Sequence, residues 1–327
     1  MLGRILRALD PYVLMMFGTV ALAAVLPAQG VGATIAGTAA DIGIVFLFFL
    51  YGTRISPAAA WEGMRHWRLQ LAVLLSTFVL IPLLGLGVSA GLSGLLPAPL
   101  LAGVLFLSAL PSTVQSSIAL VSIARGNVPA ALCAASASNI LGIFLTPVLA
   151  GWLLHMDGAG PSLKVFRDIV LLLLVPFLVG QVLRPWISAW VTRNKGILGL
   201  ADRGSILLII YVAFSRGMAD GIWSRVSVPE LAILVAVLAL LLAVILALTA
   251  FGARRLVGLD TADEIVVQFC GATKSLASGL PMAGVMFAGP QVGLIVLPVM
   301  LYHQLQLVAC TVLARRYAAR AGQGASP

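Results

Sequence analysis

Ten runs of about 20 mostly apolar residues constrain this chain more than any other feature. They cover residues 11–28, 34–52, 69–93, 99–124, 128–154, 165–183, 203–220, 229–251, 262–288 and 291–313. Twenty apolar residues in an α-helix span the hydrocarbon of a bilayer. With no water to satisfy the backbone there, a helix is the form such a run adopts. The chain is 61% hydrophobic and only 9% charged, against about 25% charged residues in an ordinary soluble domain. The expected fold is an all-α polytopic membrane protein, a single transmembrane domain over residues 1–327. No connection is long enough to hold a soluble domain. A short amphipathic piece between the second and third runs, Pro57 to Trp67, carries two Trp suited to an interface.

Charge sets the expected orientation. Of the 20 Lys and Arg, 15 fall on one side of a ten-span layout, 4 on the other, and Lys274 lies within a span. The positive-inside rule then puts both termini in the cytoplasm. The net charge of +9 is spread over loops, which points to anionic lipid in the bilayer as its partner and not to nucleic acid. Cys133, Cys270 and Cys310 lie in apolar runs without disulfide or metal spacing and read as small buried residues. The run after Arg4 and Arg7 reads as a retained span and not a cleaved leader.

Ten spans divide into two sets of five, residues 11–154 and 165–313. Five is odd, so a duplicated unit is inserted upside down, the plan of many secondary transporters. The fourth and ninth spans hold equivalent places in the two sets, and both are interrupted. In the fourth, Pro111 is followed by Ser112, Thr113, Gln115, Ser116 and Ser117. Proline removes a backbone donor and leaves carbonyls free. Freed carbonyls and hydroxyls suit a small cation, and exposed N–H groups at a half-helix start suit an anion. Close helix packing by small residues is the other reading of such a run. In the ninth, VQFCGATKSLASGLPM brings Gln268, Thr273, Lys274, Ser275 and Ser278 together with Gly271, Gly279 and Pro281. An ionisable group costs about 2.5–3.5 kcal/mol at mid-helix on insertion scales. Lys274 is therefore either a binding residue or a lysine that snorkels to the headgroups.

The fifth span adds Ser136, Ser138 and Asn139, of which Ser136 and Asn139 share a face. In the last span His303 and Gln306 also share a face, with a structural role or a proton relay as the two readings. Asp260, Asp263 and Glu264 read as a solvated helix start. No HExxH or Walker sequence is present, so the chain is not expected to be an enzyme, and no cofactor is expected.

Several of these stretches resemble a known family. LPSTVQSSIALVSIARGNVPAALCAASASNILGIFLTP in the fourth and fifth spans is similar to the bile acid:sodium symporter family. WRLQLAVLLSTFVLIPLLGLG, QFCGATKSLASGLPMAGVMF and VLPVMLYHQLQLVACTVLARRYA resemble its bacterial symporter-like proteins, related to the seventh member of the human bile-acid carriers. The resemblance implies ten helices in two inverted five-helix repeats. It also implies a panel and a core domain, with helices four and nine interrupted and crossing, and two sodium ions beside the crossing. Carried over by position, sodium ligands fall on Ser116 and Ser117, and Gln268 stands where relatives have a Glu. Lys274 falls near an Asn-Ser pair of the family. Gln268 lacks the negative charge of that Glu, and Lys274 adds a cation where the family gathers neutral ligands.

The expected function is secondary transport of a small organic anion coupled to sodium, in a bacterial inner membrane. The alternative is proton coupling or exchange with Lys274 as the titrating group.

Overall fold

The computed structural model describes residues 11–54, 66–154, 167–221, 226–287 and 289–323. The described residues are helical throughout, without a β-strand. In chain order the helices are α1 (Pro11–Val25), α2 (Gly30–Arg54), α3 (Trp67–Gly91), α4 (Ala98–Ala109) and α5 (Gln115–Ile123). Then come α6 (Val128–Leu153), α7 (Arg167–Arg193), α8 (Lys195–Ala219) and α9 (Val228–Val257). The last are α10 (Thr261–Ala272), α11 (Leu276–Met286) and α12 (Val292–Gln323). Among the described residues, seven helices are long and apolar enough to cross a membrane by length and composition. The other three apolar runs are accounted for differently: α1 is short, while the fourth and ninth runs are each two short helices separated by an extended break. Most of the piece expected at residues 57–67 lies outside the described residues.

Several helices overrun the apolar windows. α7 continues to Arg193 and α8 starts at Lys195, where the apolar runs end at residue 183 and begin at 203. The extra turns carry Arg184, Arg193, Lys195 and Asp202. Hydropathy loses these turns, but backbone hydrogen bonding does not stop where polarity begins.

The chain forms two compact units. The first combines residues 1–55, 161–227 and 280–296; the second combines 56–160, 228–279 and 297–327. The division repeats itself. The first two spans of each half, α1 and α2, then α7 and α8, go to the first unit, and the spans that follow go mainly to the second.

In the first unit α2 and α7 approach closely through glycine. A Cβ on Gly52 would run into the carbonyl oxygen of Phe177, and one on Gly180 into that of Phe49. Small residues permit such contact between helices in a membrane. Arg54 pairs with Asp202 at 2.7 Å, and Tyr211 Oη donates to the Leu26 carbonyl at 2.8 Å.

The second unit packs α3, α5, α6 and α10 around small and branched side chains, among them Val73, Val121, Ala131, Ala135, Val266 and Cys270. Outward-facing Leu240, Leu248 and Phe251 on α9 are exposed, as lipid-facing side chains are. The starts of α6 and α10 are tied together. Asn127 caps α6 by accepting from Ala130 N at 3.1 Å, and its Nδ2 donates to Asp263 Oδ1 at 2.8 Å. Asp260 caps α10 through Asp263 N at 2.8 Å. Glu264 departs from the solvated start expected of it. It is buried, pairs with Arg254, and accepts from Tyr317 Oη at 2.9 Å. Burial of a carboxylate is tolerated because both partners converge on it.

Candidate functional site

The breaks between α4 and α5 and between α10 and α11 lie together within the second unit. Ser275 N, in the second break, donates to Pro111 O, in the first, at 2.8 Å. Every main-chain carbonyl from Leu107 to Ser112 has an identifiable donor. Pro111 has no N–H to give Leu107 O, which instead accepts from Leu110 N at 3.2 Å. Ala109 O accepts from Thr146 Oγ1 at 2.9 Å, and Ser112 O from Asn139 Nδ2 at 2.7 Å. Ser112 N, which a continuing helix would send to Ser108 O, donates to Ser138 Oγ at 3.0 Å. That diversion frees Ser108 O for the ammonium of Lys274.

Lys274 Nζ donates to Ser108 O at 2.7 Å, Leu110 O at 2.7 Å and Thr77 O at 2.8 Å. The Thr77 carbonyl is available for a reason written in the sequence. Residues Ser76–Leu80 form a π-type turn in which Ile81 N bonds to Ser76 O. The next partner in that register is residue 82, a proline without an N–H. Lys274 is 1% exposed. Three donors facing three acceptors is the hydrogen-bond complement of an ammonium, and two of the acceptors lie at the negative C-terminal end of α4.

The backbone of Lys274 is held as firmly as its head. Its N–H donates to Gln306 Oε1 at 2.8 Å, and its carbonyl accepts from Gln306 Nε2 at 3.0 Å. The same amide nitrogen lies 2.9 Å from His303 Nδ1, so that ring nitrogen accepts. Ala272 O accepts from Tyr302 Oη at 2.9 Å. α12 thus supplies the partners that a continuous helix would have supplied.

Beside the lysine is a knot of hydroxyls. Thr273 Oγ1 lies 2.7 Å from Ser117 Oγ and 3.3 Å from the hydroxyls of Ser112 and Thr113. Thr113 and Ser117 are 3.0 Å apart. Ser275 caps α11 by accepting from Ser278 N at 3.2 Å, and Ser278 Oγ donates to Asn139 Oδ1 at 3.1 Å. Asn139 therefore ties the first break to the first turn of α11 through one side chain.

Ser112, Thr113, Ser117, Asn139, Thr273, Lys274 and Ser275 are thus brought together. The other candidates are placed differently. Gln115 is exposed and Ser116 half-buried, outside this network. Ser136 is buried on α6 a turn before Asn139. Gln268 is buried, but its Nε2 donates to Leu246 O at 2.9 Å, away from the hydroxyl knot, and its Oε1 has no partner. Sequence reasoning missed Thr77 and Ser108, which act through main-chain oxygens. Their signals were present: Pro82 five residues after Thr77, and Pro111 closing the turn after Ser108.

Polar helix breaks meeting inside an apolar helical body are the plan of many secondary transporters. The comparisons agree, and the chain belongs to the SBF-like CPA transporter family, whose model matches residues 10–319. It is 51% identical over 320 residues to the Pseudomonas aeruginosa protein named "Uncharacterized protein PA2026", covering 97% of this chain and 95% of that one. It is 45% identical over 314 residues to Escherichia coli K12 "Putative symporter YfeH", covering 96% and 94%. Sodium/bile acid cotransporter 7 of Rattus norvegicus is 28% identical over 283 residues, covering 84% and 82%.

Proposed function

We propose that this protein is a secondary active transporter of a small organic anion, coupled to sodium and working by alternating access in a bacterial inner membrane. In this reading ten spans form two inverted repeats, both termini are cytoplasmic, and the broken fourth and ninth spans carry the site. The protein needs no cofactor beyond its coupling ion. The observation that carries the anion is Lys274. Its ammonium meets three carbonyls and, among its hydrogen bonds, no carboxylate. Glu264, the acidic residue nearest it in the ninth run, is engaged by Arg254 and Tyr317. A buried positive charge without a counter-ion favours an anionic ligand.

The hydroxyls of Ser112, Thr113, Ser117 and Thr273 supply the hard oxygens a sodium ion requires. Names of relatives add weight: one is called a symporter and another a sodium/bile acid cotransporter. Bile acid itself is not carried over, because that name belongs to a relative at 28% identity.

Uptake into proteoliposomes tests the proposal, with a panel of labelled small carboxylates and sulfonates and with sodium and pH gradients imposed separately. Uptake of an anion driven by inward sodium supports it. Uptake driven by the pH gradient alone supports proton coupling instead, and transport confined to cations refutes the anion assignment.

A further inference from the structure

The cage around the Lys274 head has the chemistry of a monovalent-cation site. Its walls are three main-chain oxygens, and each lacks a helical partner for an independent reason. Pro82 denies an N–H to Thr77 O. Ser138 diverts the N–H that would reach Ser108 O. Leu110 O lies in the extended break past the end of α4. Oxygens at 2.7–2.8 Å from a common centre match an ammonium- or potassium-sized ion. The same centre also receives the negative end of the α4 dipole.

We propose that the Lys274 ammonium is a tethered cation that permanently fills a monovalent-cation site made of the Thr77, Ser108 and Leu110 carbonyls, so that this site takes no mobile ion. The tether starts from the break of the ninth span, where Gln306 grips both main-chain groups of Lys274. The ammonium therefore pins the C-terminal end of α4 and the turn of α3 to that break. It also keeps a positive charge at the site without drawing on the sodium gradient. Any mobile cation must then use the separate hydroxyl knot. The consequence for coupling rests on the transport reading above, but the cage does not, and its test reads stability and not uptake.

Lys274→Ala removes three side-chain carbons and the ammonium, which together correspond to n-propylammonium. The full-length protein is expressed with and without n-propylammonium, purified in detergent, and melted in the presence of n-propylammonium or of 1-propanol, which has the same length and no charge. The proposal expects Lys274→Ala to melt well below wild type and to regain several degrees with n-propylammonium but not with 1-propanol. Wild type shifts with neither. Lys274→Met, which fills the volume without charge, is expected to be about as unstable as Lys274→Ala. A Lys274→Met protein as stable as wild type overturns the proposal. So does a Lys274→Ala protein that n-propylammonium fails to stabilise, in cells or in detergent, or that 1-propanol stabilises equally.

Discussion

The two breaks answer the same physical problem in opposite ways. The first, between α4 and α5, is made by Pro111, and it leaves acceptors. Its carbonyls are satisfied one by one from outside: by Lys274, Thr146, Ser275 and Asn139. The second break, between α10 and α11, contains no proline; Pro281 lies further on, inside α11. It is opened by capping. Ser275 starts a new helix, and one glutamine from α12 pairs with both main-chain groups of Lys274. One break offers oxygen and the other offers an ammonium, and each completes the other. A broken helix at membrane depth survives where every orphaned group has a partner, and here the partners are largely reciprocal.

Substitutions that remove one side of this exchange test it. The largest loss is expected from Gln306→Leu, which strands the buried N–H and carbonyl of Lys274. Each unsatisfied group costs about 1–3 kcal/mol, so the melting temperature should fall furthest here and transport should be lost. Gln306→Glu should fall between, since a carboxylate still accepts from the N–H but cannot donate to the carbonyl.

Next is Gly142→Ala. A Cβ there would lie 2.6 Å from Pro111 Cβ and 2.8 Å from its Cγ. The ring is rigid and part of the first break, so a cost of about 1–3 kcal/mol is expected, as for overpacking in general. Gly279→Ala makes a comparably close contact, 2.5 Å from Leu110 Cδ1, but meets the end of a side chain that can turn away. It should cost measurably less. Equal costs in thermal melts would mean that the Pro111 ring yields as readily as the Leu110 side chain.

The smallest stability effect is expected from Thr273→Val, about 1 kcal/mol for a hydrogen bond removed with little change of shape. Its effect on function should be disproportionate. The sodium concentration for half-maximal uptake should rise, because Thr273 Oγ1 sits at the centre of the hydroxyl knot.

Much of this was legible in the sequence. Each of the ten apolar runs contains helix, and both interruptions fall where Pro111 and the Gly-Ala-Thr-Lys-Ser stretch place them. Lys274 stood out because a lysine is costly among apolar residues. Its partners did not, because they are carbonyl oxygens, and every residue type has one. Gln115 and Ser116 show a second limit. Composition marks a polar run, but the phase at which α5 restarts decides which members turn inward. Ser117 turns in and Gln115 does not. Gln268 shows a third, for its Nε2 donates to the Leu246 carbonyl of a neighbouring helix, a long-range contact that no local pattern announces.

The central claim is that the two breaks act as one unit, and a double-mutant cycle across them tests it most directly. Ser117, in the first turn of α5 after the first break, and Thr273, in the second break, have hydroxyls 2.7 Å apart. Thermal or denaturant stability is measured for wild type, Ser117→Ala, Thr273→Val and the double variant. A coupling energy of about 0.5 kcal/mol or more is expected for groups that share one network. Additive effects, with coupling indistinguishable from zero, would contradict the claim.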